Sequence, residues 1–173
     1  DELVEAQNKY CLGVIEENQF NKLLSKGNPI ILGFLYSKFA ELKKSDITVS
    51  YRINIEDLEC RMPVYKMVEL LGNLLKNAME AVQKQNDRRI FVMMLEQKEK
   101  IQMEIANECQ EIDREKRLEF FKKGYSEKGE KRGYGLYNVK RICEEYDAAV
   151  VCENENRENR NWLVFKVVIN KPL

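Results

Sequence analysis

An α+β domain, with helices layered on one face of a mixed sheet, is the fold class that this sequence predicts. Three observations carry it. Strand-like and helix-like segments interleave along the chain. Two pairs of strands are each joined by a short polar turn, the pattern of an antiparallel hairpin. The longest helical pattern, opened by Pro63, runs to about Gln85. At 173 residues the chain is long enough for one ordinary domain with a real core and one appended element.

Residues 1–26 alternate short apolar groups with Glu, Asn, Gln and Lys, a weak helical pattern. Gly27-Asn28-Pro29 then starts a helix, because Asn28 can cap and Pro29 suits the first turn. Ile31, Leu35, Phe39 and Leu42 follow at helical spacing up to the Lys43-Lys44-Ser45-Asp46 break, and this stripe calls for a second helix, from another subunit for example. Ile47 to Ile53 has the composition of a strand. After the long helix, RIFVMMLE and KIQMEIAN are two strands turning at about Gln97 to Glu99. A charged stretch from Glu108 to Arg132 holds one short helix near Arg114 to Lys122, and a further helix spans Gly135 to about Tyr146. AAVVCEN and WLVFKVVI, separated by a polar turn, end the chain as strands.

Composition removes several classes of function. Lys plus Arg and Asp plus Glu are 29 each, so no global charge steers the chain toward nucleic acid or an anionic membrane, and any anion site must be local. The longest apolar run, around Pro29 to Tyr36, is far too short to cross a bilayer. Five cysteines, irregularly spaced and with no C-x-x-C pair, in a chain with 0 histidines, argue against a zinc site or a disulfide framework and fit a reduced domain. The missing histidine also removes the usual general base and any Ser/His or Cys/His pair. The chain begins at Asp1 with no signal pattern, and we expect it to be part of something longer.

On the long helix, Glu69, Asn73, Asn77 and Glu80 are four, four and three residues apart, so all project from one narrow face. Val64, Val68, Leu71, Leu75, Ala78 and Val82 take the opposite face. An amphipathic helix alone accounts for the polarity, but not for the asparagines. Each costs about half a kcal/mol inside a helix, because its amide competes with the backbone for hydrogen bonds. Amide oxygens are hard ligands suited to magnesium, which takes one or two protein groups and completes its octahedron with waters and phosphates.

A second feature is the loop FFKKGYSEKGEKRGYGLYNVK, Phe120 to Lys140. Gly124, Gly129, Gly133 and Gly135 lie in it with Lys122, Lys123, Lys128, Lys131 and Arg132, and it feeds into a helix at the second glycine of GYG. Such a stretch is commonly a surface loop. Free backbone amides, a helix N-terminus and movable cations are also what a triphosphate needs.

ELLGNLLKNAMEAV resembles the asparagine box of the GHKL ATPases, and RGYGL their second glycine box. The resemblance implies a Bergerat-type two-layer α/β sandwich over residues 46–173, preceded at 1–45 by partial dimerisation and phosphotransfer helices. It implies ATP and Mg2+ as cofactors, with Asn77 holding the metal and Asn73 assisting the metal or the attack geometry. Lys128 corresponds to the lysine of a Ser-Thr-Lys motif and acts with Arg132 on the phosphates. Gly133 and Gly135 let the lid lie against them, and further nucleotide contacts fall at Asn107, Ile112, Phe121, Gly129, Tyr134 and Leu136.

The chain is more closely similar to the AgrC-type quorum-sensing subgroup of histidine kinases, through GNPIILGFLYSKFAELKKSDITVSYRI and the lid. It departs from most histidine kinases where their first glycine box reads D-x-G-x-G. Here the stretch is Asn107-Glu108-Cys109-Gln110-Glu111, which lacks both glycines and the aspartate. Asn107 can still accept from adenine's amine through its amide oxygen. Glu127 replaces the threonine of Ser-Thr-Lys and adds a negative charge, so weaker nucleotide affinity follows.

The implied function is the ATP-binding catalytic domain of a two-component sensor histidine kinase, cytoplasmic in a plasma-membrane receptor. It is homodimeric at full length and paired with a response regulator of the LytTR type, without nucleic-acid or direct membrane contact. Lacking histidine, the chain is expected to bind ATP without labelling itself. The alternative is a non-catalytic GHKL nucleotide-binding or interaction module, and a serine kinase of the anti-sigma type is disfavoured by the eroded glycine box.

Overall fold

The computed structural model describes residues 22, 27–56, 58–125 and 133–172. The weak helical pattern of residues 1–26 falls almost wholly outside them. The described chain runs α1 (Pro29–Lys44), β1 (Thr48–Asn54), α2 (Val64–Val82), β2 (Arg89–Glu96), β3 (Lys100–Glu108), α3 (Arg114–Glu119), α4 (Gly135–Glu145), β4 (Ala148–Arg157) and β5 (Arg160–Asn170). The five strands form one sheet in the order β1-β2-β3-β5-β4. β1 pairs parallel to β2, and every other pairing is antiparallel. This is the expected α+β layer.

Alternation along the strands decides which face the helices cover. Ile90, Val92 and Met94 on β2, Ile101, Met103 and Ile105 on β3, and Phe165, Val167 and Ile169 on β5 are buried against them. α2 packs on β2 and β3, α4 on α2 and β4, and α1 on α2 and β1. The opposite face is charged. Arg157 Nη2 reaches Glu104 Oε1 and Glu155 Oε2, both at 2.6 Å. Its guanidinium lies over the rings of Phe91 (5.5 Å) and Trp162 (6.0 Å).

α1 begins as its sequence dictates. Asn28 Oδ1 accepts from the amides of Ile30 (3.1 Å) and Ile31 (3.2 Å), with Pro29 in the first turn. The second helix expected to cover its apolar stripe is α2 of this same chain rather than one from another subunit, with β1 beside it. Ile31, Leu32, Leu35 and Leu42 are buried in this chain's own core, and Phe39 stacks on Tyr51 of β1 with centroids 5.3 Å apart. Phe34 lies against α2 at Gly72, where an added Cβ would sit 3.5 Å from its Cζ. The reason is geometric: a short connection returns the chain to β1, beside which α1 can lie only on the sheet's helical face.

The hairpins also follow local chemistry. Gln97 N donates to Lys100 O at 2.8 Å, closing the β2–β3 turn. Between β4 and β5 the two linking residues, Glu158 and Asn159, have φ of 51° and 61°. That is the sense of a type I′ turn, whose twist matches the strands it joins. β4 therefore continues past Asn154, where its sequence pattern stops, to Arg157.

The connection from β1 to α2 is pinned by one carboxylate. Glu96 accepts from the amides of Glu56 (2.7 Å) and Leu58 (3.1 Å) and from Lys171 Nζ (2.5 Å). Burial pushes the Glu96 carboxyl up, but Lys171 and the two amides outweigh it and hold the group below its usual range. A depressed carboxyl contributes stability that is full above the unfolded value, near pH 4.3, and is lost as pH falls through the folded one. Glu96→Gln is expected to cost about 1 to 3 kcal/mol at pH 7 and to flatten the acid limb of a urea-derived stability curve. An unaltered acid limb would contradict this assignment.

Candidate functional site

Along α2, Glu69, Asn73, Asn77 and Glu80 do share one face, and all four are half-buried rather than solvated. The core side of the helix holds Met67, Leu70, Leu71, Leu74, Leu75, Ala78 and Val82. Val64 and Val68, expected there, are half-buried at its margin. Lys66 Nζ neutralises Glu69 at 3.0 Å. Asn73 donates its Nδ2 to the Glu69 carbonyl at 2.9 Å, one turn back. That bond turns Oδ1 outward to the start of α4, where a Cβ added to Gly135 would stand 3.2 Å from it. Asn77 makes no side-chain hydrogen bond among the described residues, which leaves its amide available.

What lies against this row is a helix N-terminus. α4 begins at Gly135 after Tyr134, and no side chain caps it. The first amides of a helix have no partner within it and carry the positive end of its dipole, so an uncapped start beside Asn73 suits an anion. Gly135 allows the approach. Leu136 packs on the core, while Tyr134 is exposed.

The base of the lid is equally tight. Gly133 has φ of 110°, and an added Cβ would come within 2.6 Å of the Tyr125 carbonyl carbon. The two ends of the lid therefore touch backbone to backbone, a contact open only to glycine. Lys128, Gly129 and Arg132, together with Glu127, lie outside the described residues.

On the sheet below, Asn107 occupies the helix-covered face of β3, 0 % exposed, and its Oδ1 has no hydrogen-bond partner. Buried polar atoms are nearly always paired, so an orphaned acceptor beneath the helical layer marks a place for a donor from outside. Ile112 and Phe121 are both half-buried against the core, Phe121 edge-on to Phe165 with centroids 6.1 Å apart. The residue that fixes Ile112 was not singled out from the sequence. Asn154 on β4 accepts from its amide (3.3 Å) and donates to its carbonyl (2.7 Å), and Arg117 Nη1 also donates to that carbonyl (3.1 Å). An asparagine inside a strand is unfavourable, and that was the available signal.

Metal fit rests on the donor set. Among the described residues no group of three or more His, Cys, Asp or Glu could hold an ion. The unengaged amide of Asn77 supplies one neutral hard oxygen, which suits an ion bound mainly by phosphates and water. Burial disfavours the thiolate at each described cysteine: it pushes Cys143 and Cys152 up to about 12, and Cys60 and Cys109 are raised for the same reason. A separate cleft of about 540 Å³, lined by residues that include Arg61, Lys98 and Tyr146, sits at the other end of the sheet. No helix among the described residues is long and apolar enough to cross a membrane.

Residues 62–170 match the family described as GHKL domain. The chain is 29% identical over 136 residues to the sensor protein CitS of Bacillus subtilis, which covers 79% of this chain and 25% of CitS. It is 30% identical over 144 residues to the sensor histidine kinase DcuS of Escherichia coli K12, covering 80% of this chain and 26% of DcuS. The chain thus spans about a quarter of the length of these relatives. The catalytic domain of histidine kinase ThkA superposes with a TM-score of 0.67 at 25% identity, covering 83% of this chain and 93% of that domain. ThkA in complex with the response regulator TrrA shares the fold at 19% identity, with a TM-score of 0.61 over 95% of this chain and 50% of ThkA.

Proposed function

This chain belongs to the GHKL domain family, as the ATP-binding catalytic domain of a sensor histidine kinase, and from that premise we propose that it passes the γ-phosphoryl group of Mg-ATP to a histidine of its full-length protein. The observation that carries the reading is the meeting of Asn73 Oδ1 with the uncapped start of α4 at Gly135. The amides of Asn73 and Asn77 on α2 and the unpaired backbone donors of α4 there belong to two helices packed against each other.

Phosphoryl transfer is mostly positioning and charge neutralisation, so the residues divide by task. Asn107 receives the base amine, with Ile112, Phe121 and Leu136 as apolar walls. The amides at the start of α4, with Gly129, Gly133 and Tyr134 of the lid, hold the phosphates, and Lys128 and Arg132 balance their charge. Asn77 holds Mg2+ and Asn73 supports it. When bound, the ion neutralises charge on the β- and γ-phosphates.

Residues 1–45 are read as the trailing part of the dimerisation and phosphotransfer helices, which α1 joins to residues 46–173 by docking on α2. We assign the full-length protein as a homodimeric plasma-membrane receptor of the AgrC type, with this domain in the cytoplasm and a LytTR response regulator as partner. The eroded Asn107-Glu108-Cys109-Gln110-Glu111 box supports that subgroup. The test supplies radiolabelled ATP to this chain mixed with the separately made phosphotransfer helices of the full-length protein. Acid-labile, base-stable label is expected on the helices and none on this chain. Acid-stable label on serine or threonine of either polypeptide, or no transfer while ATP is bound, overturns the proposal.

A further inference from the structure

We propose that Asn107 opens the base pocket to 6-oxopurines, so that inosine and guanosine nucleotides bind alongside adenosine nucleotides. The inference rests on the nucleotide reading above and narrows it to the base. Asn107 Oδ1 is buried and unpartnered, and the one hydrogen bond of its Nδ2, to the Glu108 carbonyl, is 3.4 Å long. N–H···O bonds usually lie at 2.7 to 3.2 Å, so this one is weak. The residues in register on either side, Ile90 on β2 and Leu163 on β5, are apolar and buried. Glu108, the neighbouring carboxylate, projects to the other face of the sheet, where Arg160 Nη1 holds it at 3.0 Å. Among the described residues nothing else polar fixes which way the Asn107 amide points.

A carboxamide carries an acceptor and a donor side by side, and half a turn about its last torsion exchanges them. Adenine presents an amine donor at position 6 beside the N1 acceptor. Hypoxanthine and guanine present a carbonyl acceptor there beside an N1–H donor. In one orientation the amide complements the first pair and in the other the second, and the exchange gives up only the 3.4 Å bond. A carboxylate has acceptors alone, so where the contact is to position 6 it takes the adenine amine but sets lone pair against lone pair with a 6-carbonyl. Sites that impose such an unpaired contact can discriminate by factors on the order of 10⁴. Asn107 is thus a specificity-determining residue, and its neutrality broadens the substrate class to purine nucleotides.

The test measures ADP, IDP and GDP affinities by calorimetry with magnesium present, for the native chain and for Asn107→Asp and Asn107→Ala. IDP isolates position 6, because hypoxanthine lacks guanine's 2-amino group. ADP and IDP are expected to bind the native chain within about 10-fold of each other. Asn107→Asp should widen that ratio to about 100-fold or more in favour of ADP, whereas Asn107→Ala should weaken both alike and keep the ratio near one. A native preference for ADP above about 100-fold, or an unchanged ratio in Asn107→Asp, overturns the proposal. The native ratio decides the matter even where a variant fails to fold. Native chain that is folded by circular dichroism yet binds none of the three removes the nucleotide reading itself, a result separable from a mere preference for adenine.

Discussion

Asn77→Ala is expected to weaken magnesium-dependent nucleotide binding sharply while leaving the fold as stable as before, or slightly more so. The side chain makes no hydrogen bond among the described residues, and alanine is the better helix former by about half a kcal/mol. A residue retained for structure shows the opposite pattern. The loss comes from the missing oxygen ligand, a contact to a charged partner worth about 1.5 to 3 kcal/mol, or on the order of 10- to 150-fold in affinity. Calorimetry with and without EDTA, beside a thermal melt, separates the two effects. Mg-ATP affinity equal to that of the native chain removes Asn77 from the site.

Gly133→Ala is the second large effect, and Gly124→Ala is its control. Both glycines have positive φ, 110° and 76°, but only Gly133 faces a neighbour that a Cβ would strike. A Cβ added at Gly124 would meet nothing within 4 Å. The control should cost about 1 kcal/mol of backbone strain. At Gly133, strain of about 1 to 3 kcal/mol is joined by a clash with the Tyr125 backbone, which forces the base of the lid apart. Nucleotide affinity should fall at least about 10-fold in Gly133→Ala and hardly at all in Gly124→Ala. Equal affinities for the two variants, measured with the same nucleotide, would show that the lid base has no part in binding.

Much of this architecture was legible because the relevant signals are local. β2 falls on the predicted Arg89 to Glu96, since alternating apolar residues fix both extent and face. α1 starts at Pro29 because the Asn28 cap and the proline each specify one backbone position. What covers α1 was not legible: a stripe states that it will be buried, not by which partner. Asn73, Asn77, Gly133 and Gly135 could be singled out because each is locally unfavourable or locally necessary. Asn154 escaped because its task, clasping the Ile112 backbone, joins residues 42 apart in sequence. β4 was cut short because Glu158 occupies a positive-φ position without being glycine or asparagine, so no turn signal marked its end.

The central claim is spatial: a magnesium nucleotide sits between the amide row of α2 and the start of α4, over Asn107. An amide NMR titration of the chain with Mg-ADP tests it most directly. The largest shifts are predicted at Asn73, Asn77, Asn107 and Gly133 to Leu136, with Arg61, Lys98 and Asn170 at the far cleft unmoved. Shifts confined to that far cleft, with the α2 row silent, would contradict it.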